Sequence, residues 1–170
     1  LEVIKPTNIT SNLSIENVSN YRQIACSNNQ MIHFDSAFNK EKILIVDDSD
    51  SIRRALKKLL LNNTKIKDYD IIEGTDGIDI LKAIISDQAN GNKIKLIITD
   101  ENMEYMCGSS AISLVREFEK QNKIQKYFIC SLTAFEDTET KKDIMNKGAD
   151  IVLSKPISAK ILDNLIDSVF

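Results

Sequence analysis

The sequence predicts an α/β fold built on a parallel sheet whose strands alternate with helices. The prediction depends on two observations. Five short apolar runs alternate with five stretches that have helical character, and the first run, at Lys42–Val46, is continuously apolar after its lysine. Continuous apolar runs of this length suit strands that are buried on both faces. Strands separated by helices imply βαβ units with right-handed crossovers.

The first half of the predicted domain contains three strands and two helices. Ser49 or Asp50 can cap the first helix, and an Asn62-Asn63 pair interrupts it. The predicted elements are a strand at Lys42–Val46, a helix from about Asp50 to about Leu61, a strand at Tyr69–Ile72, a helix from Asp76-Gly77 to about Ala89, and a strand at Lys95–Thr99.

The second half continues the alternation with two strands and three helices. Gly148 lies where a helix would end, and glycine is the usual residue just after a helix C-terminus. The predicted elements are a helix at about Ser109–Lys120, a strand at Lys126–Cys130 that runs on to Thr133, a helix at Glu136–Lys147, a strand at Asp150–Leu153, and a helix at about Ser158–Val169.

The first forty residues follow a different pattern. Leu1–Lys40 is rich in Asn and Ser, contains no Gly, and shows no sustained strand or helix period. Such a stretch buries too little apolar surface to offset the entropy lost on ordering. We therefore expect a linker or extended arm at residues 1–40 and one domain at residues 41–170.

Composition limits the possible functions. A net charge of -3 disfavours sequence-independent nucleic-acid binding, which needs a basic surface. No apolar run approaches the roughly 18 residues of a membrane span, and no signal peptide is visible. The three cysteines are too scattered for a disulfide framework. We expect a cytoplasmic chain without nucleic-acid or membrane contact. Because the sequence begins with Leu1 and not with Met, we expect a fragment of a longer parent protein. That parent could itself be anchored in a membrane.

Polar residues follow four of the predicted strands. Asp47-Asp48 follows the first strand, Asp100 the third, Thr133 the fourth and Lys155 the fifth. In open parallel sheets the carboxyl ends of the strands meet at one edge, and ligands bind there. Three carboxylates at that edge would repel one another, and a hard cation such as Mg²⁺ relieves this repulsion. One carboxylate could then attack a phosphoryl group, with the metal and the lysine balancing its charge.

These motifs resemble the response-regulator receiver domain of two-component signalling. The resemblance covers the span from about Glu41 to Phe170, roughly three quarters of the chain. It implies a flavodoxin-like, doubly wound (βα)5 sandwich with strand order 2-1-3-4-5. Further stretches typical of the family are Glu73–Gly77, Asp100–Met103, Leu132–Ala134, Gly148–Asp150 and Ser154–Ile157.

The resemblance implies a role for each matching residue. Asp100 corresponds to the phosphoacceptor, Thr133 to the switch hydroxyl, and Lys155 to the lysine that contacts the phosphoryl group. The bond between Lys155 and Pro156 corresponds to one that is often cis in the family. The implied ligands of Mg²⁺ are Asp47, Asp48, Asp100 and the backbone carbonyl of Asn102.

Four positions depart from the family's pattern or vary within it. Val152 lies three residues before Lys155, where many members have an aromatic switch residue. Glu104 replaces the usual proline of the loop after the acceptor, so we expect a more mobile loop. Phe135 and Asn102 occupy the two positions that tune the lifetime of the phosphoryl group in the family.

The expected function is phosphorelay signalling. The domain would accept a phosphoryl group from a phospho-histidine onto Asp100, change conformation, and lose the group by slow hydrolysis. Expected partners are an upstream histidine kinase core or a histidine phosphotransfer protein, and a second copy in a phosphorylation-dependent dimer. The preceding linker and Arg53 resemble those of receivers at the carboxyl end of hybrid histidine kinases, and in that case a conventional enzyme activity would lie in the parent chain. A single-domain regulator with an atypical N-terminal arm is the close alternative.

The sequence leaves two alternative functions open. One is a receiver-like interaction module that is never phosphorylated. The other is a phosphatase of the haloacid-dehalogenase type, which also uses an aspartate nucleophile with Mg²⁺. Such enzymes need a second acid two residues after the nucleophile, and Asn102 occupies that position here.

Overall fold

The computed structural model describes residues 40–170. The prediction for residues 1–40 falls outside the described range except at Lys40. The described strands are β1 (Lys42–Val46), β2 (Asp70–Gly74), β3 (Ile94–Asp100), β4 (Phe128–Thr133) and β5 (Ile151–Ser154). They form one parallel sheet in the order β2-β1-β3-β4-β5, which confirms the predicted fold and strand order.

Helices cover both faces of the sheet. Alternate residues of β1 divide between two apolar cores, with Ile43 and Ile45 on one side and Leu44 and Val46 on the other. This two-sided burial explains why the first apolar run is continuous. The helices are α1 (Asp50–Leu61), α2 (Gly77–Ala89), α3 (Gly108–Lys120), α4 (Thr138–Asn146) and α5 (Ala159–Val169). Helices α1 and α5 pack on the first side, and α2, α3 and α4 pack on the second.

Local hydrogen bonds accompany two of the boundaries that differ from the prediction. β4 begins at Phe128 rather than Lys126, and the N–H of Tyr127 donates to Glu119. α4 begins at Thr138 because Asp137 caps it. A short 3-10 helix at Thr64–Ile66, which the periodicity did not reveal, follows α1.

The strand register brings four strand ends to one side of the molecule. Val46 pairs with Thr99, Asp100 with Leu132, and Thr133 with Ser154. We call this side, where β1, β3, β4 and β5 end, the carboxyl edge, and the side where they begin the amino edge. No helix among residues 40–170 combines the length and apolar character that crossing a membrane requires.

Candidate phosphoacceptor site

The turn after β1 presents the two acids differently. Asp47 is buried, and its Oδ1 accepts a hydrogen bond from the N–H of Ser49 at 2.9 Å. Its backbone carbonyl accepts a second bond from the guanidinium of Arg53 at 2.7 Å. Asp48 is exposed. Ser49 is the N-cap residue of α1, but its side chain makes no capping bond. The turn thus holds one carboxylate inward and leaves the other facing solvent.

Asp100 and Lys155 meet at the centre of the carboxyl edge. The Nζ of Lys155 lies 2.8 Å from Oδ1 of Asp100 and 2.7 Å from Oδ2 of Asp47. The N–H of Glu101 also donates to Oδ1 of Asp100, at 2.8 Å. The backbone N–H of Lys155 donates to the carbonyl of Thr133, and the bond between Lys155 and Pro156 is cis. One ammonium group therefore bridges acids from two strand ends.

Burial and charge shift the titration of both central groups. Burial raises the pKa of the Asp100 carboxyl and the negative charge of Asp47 adds to this, while Lys155 opposes the rise. Burial alone would lower the pKa of Lys155, but the hydrogen bonds to Asp100 and Asp47 outweigh it and the pKa is raised. The lysine is therefore held in its charged form.

The three acids fit a hard divalent cation. Asp47, Asp48 and Asp100 each place a carboxylate oxygen within 4.8 Å of the others. The ammonium of Lys155 pairs with two of these three carboxylates, those of Asp47 and Asp100, so the cluster carries excess negative charge. Oxygen donors of this kind suit Mg²⁺, which keeps several of its waters. Asn102, whose backbone carbonyl the family resemblance implies as a further ligand, is two residues beyond Asp100 in the following loop.

A family model described as the response regulator receiver domain matches residues 43–167. The chain belongs to this family. A receiver domain of two-component signalling is also what the sequence motifs imply.

Similar proteins support the assignment. Over 130 residues the receiver is 33% identical to the probable transcriptional regulator ycf27 of Porphyridium aerugineum. This alignment covers 76% of this chain and 48% of the regulator. The chain thus spans about half the length of that relative. It is 26% identical over 162 residues to the CAI-1 autoinducer sensor kinase/phosphatase CqsS of Vibrio cholerae, covering 95% of this chain and 21% of CqsS.

A solved receiver-domain structure is also similar to this chain. The receiver domain of the Francisella response regulator 1452 aligns with a TM-score of 0.60 and 26% identity, covering 76% of this chain and 96% of that one.

At the two positions that the family resemblance associates with a conformational switch, this chain has Thr133 and Val152, and the second is not the aromatic residue of many members. Thr133 is buried at the end of β4, and its Oγ1 accepts a hydrogen bond from the N–H of Phe135 at 3.1 Å. Its hydroxyl proton therefore remains available for another acceptor. Val152 packs against the core beside α2, α3 and α4. The side chain of Phe135 is half exposed near the carboxyl edge.

Two contacts near Asp100 were not predicted. Arg53 donates to the carbonyl of Asp47, as described above. Glu101, the neighbour of Asp100, accepts bonds from both the N–H and the hydroxyl of Ser109, at 2.9 and 2.7 Å. Its carboxylate thus satisfies a free N–H at the first turn of α3. This cap could not be found from the sequence, because local capping patterns join residues within about one helical turn. Glu101 lies eight positions before Ser109.

Proposed function

We propose that this receiver accepts a phosphoryl group on Asp100 in a Mg²⁺-dependent reaction, with a phospho-histidine as donor. The observation that carries the proposal is the asymmetry of the Asp100 carboxylate. Its Oδ1 accepts bonds from Glu101 and Lys155, whereas none of the described residues donates to Oδ2. Oδ2 is therefore the atom with lone pairs free for attack.

The transfer exchanges one bond for another. Oδ2 of Asp100 attacks the phosphorus in line, the new O–P bond forms, and the P–N bond to the donor imidazole breaks. The ammonium of Lys155 has three N–H donors, two of which bind carboxylates, so the third can contact an oxygen of the incoming phosphoryl group. Water attack on phosphorus later releases phosphate and restores the carboxylate.

The acids at the carboxyl edge would hold the metal that this chemistry requires. Asp47, Asp48, Asp100 and the Asn102 carbonyl are the groups that would bind Mg²⁺. When bound, Mg²⁺ supplies positive charge that offsets the carboxylates and the oxygens of the phosphoryl group. Thr133 lies one position beyond the register partner of Asp100, from which its hydroxyl can donate to the phosphorylated side chain.

Intact mass measurement tests the proposal. The protein is incubated with acetyl phosphate, with and without Mg²⁺, alongside Asp100→Asn and a control, Asp167→Asn, which removes an exposed acid of α5. We expect a gain of one phosphoryl group that needs Mg²⁺, persists in the control and is absent from Asp100→Asn. A gain that survives in Asp100→Asn would mean that another residue is the acceptor. No gain, together with no binding of beryllofluoride, would favour the interaction module.

We also place this receiver within a hybrid histidine kinase. The match to the sensor kinase/phosphatase CqsS covers 95% of the chain, so it includes residues that precede Lys40. Mapping the 5′ end of the transcript tests this placement. A reading frame that encodes a kinase core upstream of Leu1 would support it, and a start codon close to Leu1 would contradict it.

A further inference from the structure

The loop between β3 and α3 carries the carbonyl of Asn102, so its position matters for the metal site. Glu104 occupies the position of the family's usual proline, so the loop lacks that restraint on its backbone. The ends of the loop are joined by a bond from the N–H of Gly108 to the carbonyl of Glu101, at 3.0 Å. This bond does not restrain residues 102–106, which lie between the two ends.

The carboxylate of Asp76 holds the middle of the loop. Asp76 precedes α2 and its side chain is buried. Its Oδ2 accepts hydrogen bonds from the N–H of Tyr105 at 2.9 Å and the N–H of Met106 at 3.2 Å. Its Oδ1 caps α2 by accepting from the N–H of Ile78 at 3.0 Å. One side chain therefore ties the start of a helix to the loop.

The neighbouring backbone strengthens this connection. The N–H of Gly77 donates to the carbonyl of Met106 at 3.1 Å. A Cβ added to Gly77 would lie 2.5 Å from the same carbonyl, so the loop and the start of α2 are in direct backbone contact. Burial raises the pKa of Asp76, but the N–H groups of Ile78, Tyr105 and Met106 outweigh it and the pKa stays below its ordinary value.

We propose that Asp76 is a positioning residue of the phosphoacceptor site, whose carboxylate fixes the loop that presents the Asn102 carbonyl to Mg²⁺. This inference rests on the proposed function. Charge-assisted bonds to two consecutive N–H groups restrain two adjacent peptide planes three residues from Asn102. Groups that orient metal ligands typically change metal affinity by 10- to 100-fold when they are removed. Asp76 takes over the restraint that a proline at position 104 would provide.

The test compares two identical substitutions at two helix N-caps. Asp76→Ser keeps a short acceptor for the cap of α2 but cannot reach Tyr105 and Met106. Asp137→Ser makes the same change at the exposed cap of α4, which contacts Thr140 and not the loop. The full chain of each is titrated with Mg²⁺ by calorimetry, and its phosphorylation by acetyl phosphate is followed over a range of Mg²⁺ concentrations.

We expect Asp76→Ser to bind Mg²⁺ about tenfold more weakly than Asp137→Ser. Its phosphorylation rate should recover at saturating Mg²⁺, which a loss of folded protein would not allow. Amide hydrogen exchange of residues 102–106, measured without Mg²⁺, should accelerate in Asp76→Ser alone. Equal affinities with unchanged exchange would overturn the inference.

A wild-type protein that gains no phosphoryl group would contradict the proposed function instead. The exchange of residues 102–106 would then decide whether Asp76 holds the loop. If exchange is also unchanged, both proposals fail.

Discussion

Two charged clusters at opposite edges of the sheet use similar groups in different ways. At the carboxyl edge, Lys155 lies between Asp47 and Asp100. At the amino edge, Arg116 of α3 lies between Glu119 and Asp150. In each cluster one cation bridges two acids that are mostly buried.

The amino-edge cluster satisfies its hydrogen-bonding groups within the chain. The guanidinium of Arg116 donates to Glu119, to Asp150 and to two backbone carbonyls. The two carboxylates in turn accept the N–H groups of Tyr127 and Ile129 at the start of β4. Such a network stabilises the fold and needs nothing from solvent.

In the carboxyl-edge cluster, the charges and hydrogen-bond acceptors are not all satisfied by the described residues. Asp48 adds a third carboxylate, and Oδ2 of Asp100 accepts nothing from the described residues. Lysine is also the more mobile cation, because its ammonium has no planar donor geometry. The charges at the amino edge are therefore balanced within the chain, whereas the carboxyl edge keeps an excess of negative charge, which is consistent with the proposed Mg²⁺ site.

Breaking the amino-edge cluster should give the largest effect. Arg116→Met leaves Glu119 and Asp150, both mostly buried, without their cation. We expect the free energy of unfolding to fall by about 3–5 kcal/mol, as for other disrupted buried ion pairs. Urea denaturation measures it, with Arg54→Met as the control because Arg54 is 77% exposed. A loss no larger than that of the control would show that the network carries little stability.

Supplying the missing charge at the carboxyl edge should stabilise the protein. Mg²⁺ at 100 times its dissociation constant should add about 2.7 kcal/mol to the free energy of unfolding. Thermal denaturation with and without Mg²⁺ measures this. Asp48→Asn should reduce the gain, whereas Arg116→Met should leave it intact. A gain that Asp48→Asn retains in full would place the cation elsewhere.

The smallest effect concerns Tyr127, which adjoins the amino-edge cluster. Burial raises the pKa of Tyr127, and the nearby carboxylate of Asp87, which accepts a hydrogen bond from the tyrosine hydroxyl at 3.3 Å, adds to the rise. The folded state therefore keeps a proton that the unfolded chain releases near pH 10, so stability falls as the pH rises above that value.

Tyr127→Phe tests this linkage. We expect it to cost about 1 kcal/mol at neutral pH and to flatten the alkaline decline. Denaturation at a series of pH values measures both quantities. The control is Tyr105→Phe, since Tyr105 is 78% exposed. An unchanged alkaline slope in Tyr127→Phe would assign the decline to other groups, such as Tyr69, whose pKa is raised to about 12.

Much of the site could be predicted because strand ends are visible in sequence. Asp47, Asp48, Asp100 and Lys155 each follow an apolar run, and parallel topology brings such positions together. The strand order was implied by the family resemblance, since crossovers of similar length permit several orders.

The positioning contacts could not be predicted from residue types. Asp76 binds backbone N–H groups 29 and 30 positions later, and almost every residue has such a donor. Arg116 and Asp150 are 34 positions apart and no pattern connects them. The sequence identified Asp76 only as the start of a helix. An aspartate that caps a helix and one that also binds a distant loop have the same local sequence pattern.

The bond between Lys155 and Asp47 has a consequence for the order of events during synthesis. These residues are separated by 108 positions, and the lysine follows the last strand. Contacts between such distant residues form late, because a long stretch of chain must first be ordered. A growing chain therefore lacks the bond between Lys155 and Asp47 until the residue after β5 has been synthesised. Under the proposed function, a molecule could be phosphorylated only once its receiver domain is complete.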